Sequence, residues 1–200
     1  MNKQIIFATK NEGKLKEIRE LFSDTDYEII SLNDIELKSE IIENGTTFEE
    51  NAMIKANTIM EETNTMVLAD DSGLEVDFLG KEPGVYSARY LGENTPQNEK
   101  NKHIVELLEG VEYSLRTARF VCSIACAIPG RETFTVRGTI EGMISNEIVG
   151  ENGFGYDPIF MVPKYNKTMA QLNMEEKNEI SHRGQALRLM KQQLKNEGIL

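Results

Sequence analysis

Ser181-His182-Arg183-Gly184-Gln185 stands where an amphipathic stretch rich in basic residues begins. A helix start gathers backbone N–H groups, so an imidazole and a guanidinium carried there make a donor-rich place for an anion or a keto-rich base. Three further clusters suit the same kind of ligand. Thr9-Lys10-Asn11-Glu12-Gly13-Lys14 follows an apolar run and offers hydroxyl, amide, backbone and ammonium donors within one turn, the complement of phosphate oxygens. It lacks the spacing of a Walker loop, and plain helix capping by Thr or Asn accounts for the same residues. Asp70-Asp71-Ser72-Gly73 closes another apolar run. Adjacent carboxylates repel unless a cation compensates them, and Mg²⁺ is the oxygen-seeking ion that fits. Strand alternation turns the two to opposite sides, one toward the site and one to structural bonds. Gly153-Phe154-Gly155-Tyr156-Asp157-Pro158 combines permissive backbone, rings and a carboxylate, which let a planar base approach, stack and find a hydrogen bond; a tight turn uses the same residue types.

The donors decide which base. A 6-keto oxygen accepts hydrogen bonds and the 6-amino group of adenine donates them, so Lys177, His182 and Arg183 favour keto purines by leaving donors unpaired against the wrong base.

These groups need elements to hold them. Ile5-Ile6-Phe7-Ala8 reads as a buried strand, and Gly13 to Phe22 as a helix with Leu15, Ile18, Leu21 and Phe22 on one face. Tyr27 to Ser31 reads as a second strand. A polar stretch with Glu36, Glu40 and Glu43 leads to Gly45, and Thr47-Phe48-Glu49-Glu50 has the form of a capping box opening a helix to about Glu62, with Ala52, Ala56 and Ile59 inward and Lys55 turned toward a cleft. Met66-Val67-Leu68-Ala69 follows as a buried strand. The stretch from Pro83 to Pro96, with Tyr86 and Tyr90, is a candidate lobe boundary or subunit contact, and Thr95-Pro96 a cap and first turn of a helix to Leu108. Arg119 to Ile128 and Glu132 to Ile140 flank a Pro129-Gly130-Arg131 turn, an antiparallel hairpin; ladders of both types imply a mixed sheet. Ser181 to Asn196 closes the chain as a helix with Ala186, Leu187, Met190 and Leu194 inward.

Two hundred residues, 40% apolar, suffice for one compact domain or two small lobes. The net charge of -11 argues against a protein that coats DNA or RNA, which needs many clustered cations; a free nucleotide needs only a few. Cys122 and Cys126 lie in an apolar segment without metal-ligand spacing and read as reduced core residues. No apolar stretch approaches the ~20 residues of a membrane helix, and Met1-Asn2-Lys3-Gln4-Ile5 lacks the apolar run of a secretory signal, so the cytoplasm is the expected location.

The chain resembles the inosine/xanthosine triphosphate pyrophosphatases over nearly its whole length. The resemblance rests on six ordered motifs: Thr9-x-Asn11-x-x-Lys14-x-x-Glu17, Thr47-Phe48-x-Glu50-Asn51-Ala52, Asp70-Asp71-Ser72-Gly73-Leu74, Pro83-Gly84-Val85-Tyr86-Ser87-Ala88-Arg89, Gly153-Phe154-Gly155-Tyr156-Asp157-Pro158 and Ser181-His182-Arg183. It implies a mixed α/β fold, a long twisted central sheet flanked by helices, in which residues 1–200 form a single domain of two lobes with the active cleft between them, usually a homodimer. It also implies Mg²⁺-dependent hydrolysis of dITP, ITP and XTP to the nucleoside monophosphate and pyrophosphate. The loop of Thr9, Lys10, Asn11, Glu12, Gly13 and Lys14 then holds the triphosphate with support from Lys55; Glu43 and Asp71 bind Mg²⁺, with Glu40 and Glu50 as alternatives to Glu43; and Asp71 is the proton acceptor. Ser72 contacts the substrate, and Phe154, Gly155, Tyr156, Asp157, Lys177, His182 and Arg183 form the base pocket. Lys10 occupies a position that is often glycine in relatives; it adds a cation, and activity is expected to survive.

Three other functions share these features. A Maf-like pyrophosphatase performs related chemistry. A phosphatase with Asp71 as nucleophile would release orthophosphate and usually needs an Asp-x-Asp pair, which Asp71-Ser72-Gly73 does not supply. A non-catalytic nucleotide sensor would bind without turnover.

Overall fold

The computed structural model describes residues 3–200; Met1 and Asn2, which begin the stretch inspected for a secretory signal, lie outside the described residues. Seven strands form one sheet in the order β2-β1-β3-β4-β5-β6-β7: β1 is Lys3–Phe7, β2 Tyr27–Ser31, β3 Met66–Val76, β4 Thr117–Ala127, β5 Phe134–Ile144, β6 Phe160–Val162 and β7 Lys167–Thr168. β1 runs parallel to β2 and to β3. β5 pairs antiparallel with β6, and β6 with β7. β4 and β5 are sheet neighbours joined by residues 128–133, too short a link for a parallel crossover, so they form the expected hairpin. Among the described residues five α-helices accompany the sheet: α1 Glu12–Leu21, α2 Phe48–Thr63, α3 Gln97–Leu107, α4 Met174–Ile180 and α5 His182–Asn196.

The chain divides into two compact units within β3, β4 and β5, not at the 83–96 stretch proposed as a lobe boundary. One unit holds the residues up to Asp71, Cys122–Gly138 and Arg183–Leu200; the other holds Ser72–Val121 and Thr139–His182.

In the first unit, strand alternation sorts the core into two layers. Ile5, Phe7, Met66, Leu68, Cys122, Ile124 and Cys126 join Ile18 and Phe22 of the α1 region and Ala186, Leu187, Met190 and Leu194 of α5. The residues between them, Ile6, Ala8, Val67, Ala69, Ala125 and Ala127, join Ala52, Ala56 and Ile59 of α2. One strand face therefore packs on α1 and α5, the other on α2, because successive strand side chains point oppositely. Each large side chain so buried contributes roughly 1.5–3 kcal/mol. Both cysteines are buried as expected, and burial pushes the Cys126 thiol up to about 12.

In the second unit, Leu74, Ile104, Leu108, Phe120, Ile144, Tyr156, Phe160 and Leu172 belong to one core. Arg116, itself buried, donates to the carbonyls of Leu108 and Val111 and closes the end of α3.

Four local expectations are corrected. β3 does not stop at Ala69 but carries Asp70 to Gly73 on to Val76. Glu50 completes no capping box: Thr47 Oγ1 accepts from Glu50 N, but the Glu50 carboxylate turns to Thr46. Thr95 does not cap α3; its hydroxyl donates to the Leu91 carbonyl and Pro96 takes the cap position. A short helix, α4, precedes α5, with an Asn173/Glu176 capping box. Among the described residues no helix is long and apolar enough to cross a membrane.

Candidate functional site

In the first unit the site is built at the end of β1 and in the middle of β3. Thr9 is buried, and its Oγ1 accepts from Asn11 N. Asn11 caps α1 by accepting from Lys14 N at 3.1 Å. The capping explanation of this loop therefore holds for Asn11, while Lys14 sits in the first turn with its ammonium free to reach across to β3. Lys10 and Glu12 are exposed, and Gly13 packs near Asn11 Oδ1, which a Cβ would approach to 3.1 Å.

β3 then separates its two carboxylates. Asp70 shares the parity of Met66 and Leu68, so it leaves the sheet toward α1 and α5. There Lys14 Nζ donates to its Oδ2 at 2.7 Å, and Arg183 Nε, at the start of α5, stands 3.6 Å from the same oxygen. Asp70 is 3% exposed. Burial alone would raise its pKa, but the charges of Lys14 and Arg183, with the Lys14 hydrogen bond, outweigh it and hold the carboxyl at about 2. Glu17, half-buried on α1, feels the opposite balance: desolvation, with the Asp70 charge, raises its pKa against the pull of Arg183.

Asp71 shares the parity of Val67 and Ala69 and leaves toward α2, where Asn51 Nδ2 donates to its Oδ2 at 3.0 Å. Asn51 and Lys55 lie one turn apart on the same face of α2, and together they bracket the site. Asn51 Oδ1 accepts from Gly45 N at 2.8 Å. Lys55 Nζ pairs with Glu43 at 2.7 Å and donates to the Asp70 carbonyl at 3.0 Å. The loop of residues 43–45 is thereby tied to residues 70–71 by two side chains of one helix.

This arrangement ranks the acidic candidates. Glu43 is half-buried and tied to Lys55, whereas Glu40 is exposed and Glu50 is committed to Thr46. Among the described residues no group of three or more His, Cys, Asp or Glu is placed to hold a metal ion. Mg²⁺ keeps several waters and takes one or two protein carboxylates beside substrate phosphates, and Glu43 and Asp71 are carboxylates of the kind it takes.

In the second unit, Gly153 (φ +83°) and Gly155 (φ +62°) adopt left-handed backbone that a side chain resists. They shape a loop in which Phe154 N donates to Asp157 Oδ2 at 2.9 Å and Lys177 Nζ, from α4, donates to the same oxygen at 2.6 Å. A Cβ on Gly153 would stand 2.1 Å from that oxygen. Phe154 is 66% exposed, with the Lys177 ammonium 5.0 Å from its ring centroid. Tyr156, in contrast, is a core residue whose hydroxyl donates to the Ser87 carbonyl, so Phe154 is the ring this loop presents. His182 stacks on Phe120, centroids 5.2 Å apart and planes at 15°. Ser72 is half-buried in β3.

One polar group behind this loop escaped the sequence analysis. Asn101, 2% exposed on α3, donates from Nδ2 to the Gly155 carbonyl at 3.1 Å and accepts from Gln97 Nε2 at 3.1 Å. Its neighbour Lys100, also buried, donates to the Ala88 carbonyl. α3 thus pins both the 84–89 turn and the glycine loop.

The Ham1 family model matches residues 5–193. A protein of Bacillus licheniformis named dITP/XTP pyrophosphatase is 54% identical over 93% of this chain and 95% of its own length, and one of Bacillus subtilis with the same name is 51% identical over 93% and 94%. The structure of the Staphylococcus aureus Ham1 protein superposes with a TM-score of 0.91 at 44% identity, covering 98% of this chain and all of that one. The chain belongs to the Ham1 family.

Proposed function

We propose that the protein hydrolyses the non-standard purine nucleoside triphosphates dITP, ITP and XTP to the nucleoside monophosphate and pyrophosphate, and so clears them from the cytoplasmic nucleotide pool. The observation that carries this is the set of three cations, Lys14, Lys55 and Arg183, gathered around the Asp70-Asp71 stretch of β3. A triphosphate needs several cations in one place, and few other small substrates do. The names of relatives about half identical over nearly the whole chain support the same substrate class.

Glu43 and Asp71 would hold Mg²⁺, which when bound neutralises phosphate charge. The chain's own groups do the rest. Lys14 and Lys55 take phosphate oxygens and stabilise the charge that develops as the anhydride breaks. Asp71 accepts the proton of the attacking water as a new P–O bond forms, and pyrophosphate departs with the electron pair of the broken one. General-base help of this kind is worth about 10²–10⁴ in rate. In the second unit Phe154 offers a stacking face, and Lys177, with His182, offers donors to a keto oxygen. Asp157 orients Lys177 and ties down the Phe154 backbone. The working form is a homodimer.

The test is product analysis with Mg²⁺ and dITP, XTP, dGTP, dATP and dTTP. Pyrophosphate from dITP and XTP in preference to the others is expected. Orthophosphate would indicate a phosphatase, and binding without product a sensor.

A further inference from the structure

We propose that Asp70 is a built-in stand-in for phosphate: in the nucleotide-free protein its carboxylate engages Lys14 and keeps Arg183 gathered beside it, and an incoming phosphate chain takes Lys14 over. The proposal rests on the function proposed above, which makes Lys14 a phosphate ligand.

Three features of the geometry carry it. First, Asp70 faces α1 and α5, away from the α2 face where Asp71 meets Asn51, so it does not share the role of its neighbour. Second, it is buried to 3% exposure yet its bond to Lys14 spans 56 positions of sequence at 2.7 Å. A buried anion without such a partner is costly, and so are clustered cations without an anion. Third, the second cation is not consumed: Arg183 Nε is buried and makes no hydrogen bond, standing at 3.6 Å from Asp70, an ion-pair distance and no closer. One carboxylate therefore takes a hydrogen bond from Lys14 and holds Arg183 Nε only by proximity, leaving at Nε donor capacity that oxygens of a larger anion can use.

The physical consequence is a trade. The carboxylate preorganises Lys14 before substrate arrives, which spares the reaction the cost of ordering a long side chain. It also repels every phosphate that approaches the same ammonium, including the pyrophosphate product, and so speeds product departure. Asp70 is on this account a positioning residue that keeps the site from holding its product too tightly.

Inorganic pyrophosphate is the probe, titrated calorimetrically without metal into the wild-type chain and into Asp70→Asn, which keeps size and hydrogen-bonding reach but removes the charge. Pyrophosphate binding tightened by about tenfold or more in the variant is expected, the scale of one unscreened like charge removed at short range. Unchanged or weaker binding by a folded variant overturns the proposal, since a merely structural Asp70 would loosen the cation cluster. A second measurement needs no variant: the side-chain ammonium resonance of Lys14 in the wild-type protein is expected to be exchange-protected when free and to shift when pyrophosphate saturates. A resonance that stays in place overturns the proposal as well. The outcomes separate the two claims. Hydrolysis of dITP with no tightening in Asp70→Asn defeats the stand-in alone, and tightening without hydrolysis of any triphosphate defeats the proposed function alone.

Discussion

Asp70 and Asp71 are consecutive in β3, yet their carboxylates leave the sheet on opposite faces, Asp70 to Lys14 and Asp71 to Asn51. A pair that would repel if both faced one site is split by the two-residue period of a strand. One member is paired with a cation; the other accepts from a neutral amide.

That division predicts the behaviour of Asp71→Asn. The amide oxygen still accepts from Asn51 Nδ2, so the fold is expected to survive with an unchanged melting temperature. Turnover of dITP is expected to fall by about 10²–10⁴, the usual worth of a positioned base. A kcat within tenfold of wild type would remove Asp71 from the proton-transfer role.

Lys55 and Lys177 are expected to fail differently. Lys55 ties Glu43 to the Asp70 backbone, so Lys55→Met is expected to lower kcat/KM for dITP and XTP by the same factor, on the order of 10². Lys177 is joined to Asp157 and lies near the Phe154 ring. Lys177→Met is expected to lower the preference for dITP over dATP by about tenfold, because the penalty for an unpaired donor disappears. Steady-state kinetics on the three nucleotides check both, and a Lys177 variant equally impaired on all of them would contradict the assignment.

What the sequence shows of this site follows from the range of the interactions. Continuous apolar runs announce β1 and the start of β3, and helical spacing announces the faces of α1, α2 and α5, because both signals are local. The continuation of β3 through Asp70-Asp71-Ser72-Gly73 does not show, since these residue types also make turns. What keeps them extended is remote: Lys14 and Arg183 compensate Asp70 from 56 and 113 positions away. Asn101 is hidden for the same reason, its partner Gly155 being 54 positions on. α4 is a different case. Its Asn173-Met174-Glu175-Glu176 start carries the Asx-x-x-Glu signature in plain sight, overshadowed by the stronger helix signal after Ser181.

Asn101 itself yields a prediction. Asn101→Ala leaves the Gly155 carbonyl without its buried donor, at a cost of about 1–3 kcal/mol. The glycine loop then loses its fixed height, so the KM for dITP is expected to rise severalfold while kcat is largely kept. Thermal denaturation and steady-state kinetics check it; a fall in kcat with KM unchanged would mean that α3 acts on the chemistry instead.

The last prediction concerns acid stability in the second unit. Arg119, held also by Glu75 and Glu141, donates two bonds to Asp77, and Lys81 and Thr117 add to them. The Arg119 bond, against opposing partial burial, pulls the Asp77 carboxyl well below its ordinary 3.8. A group whose folded pKa is depressed stabilises the protein above its unfolded pKa, and that contribution drains away as pH falls below about 3.8. Because Asp77 is partly exposed, the contribution is about 1 kcal/mol or less after solvent screening. Urea midpoints of wild type and Asp77→Asn are therefore expected to differ at pH 7 and to converge as the pH is lowered through 3. A difference that persists undiminished into that range would show that Asp77 stabilises by packing and neutral hydrogen bonds, not by charge.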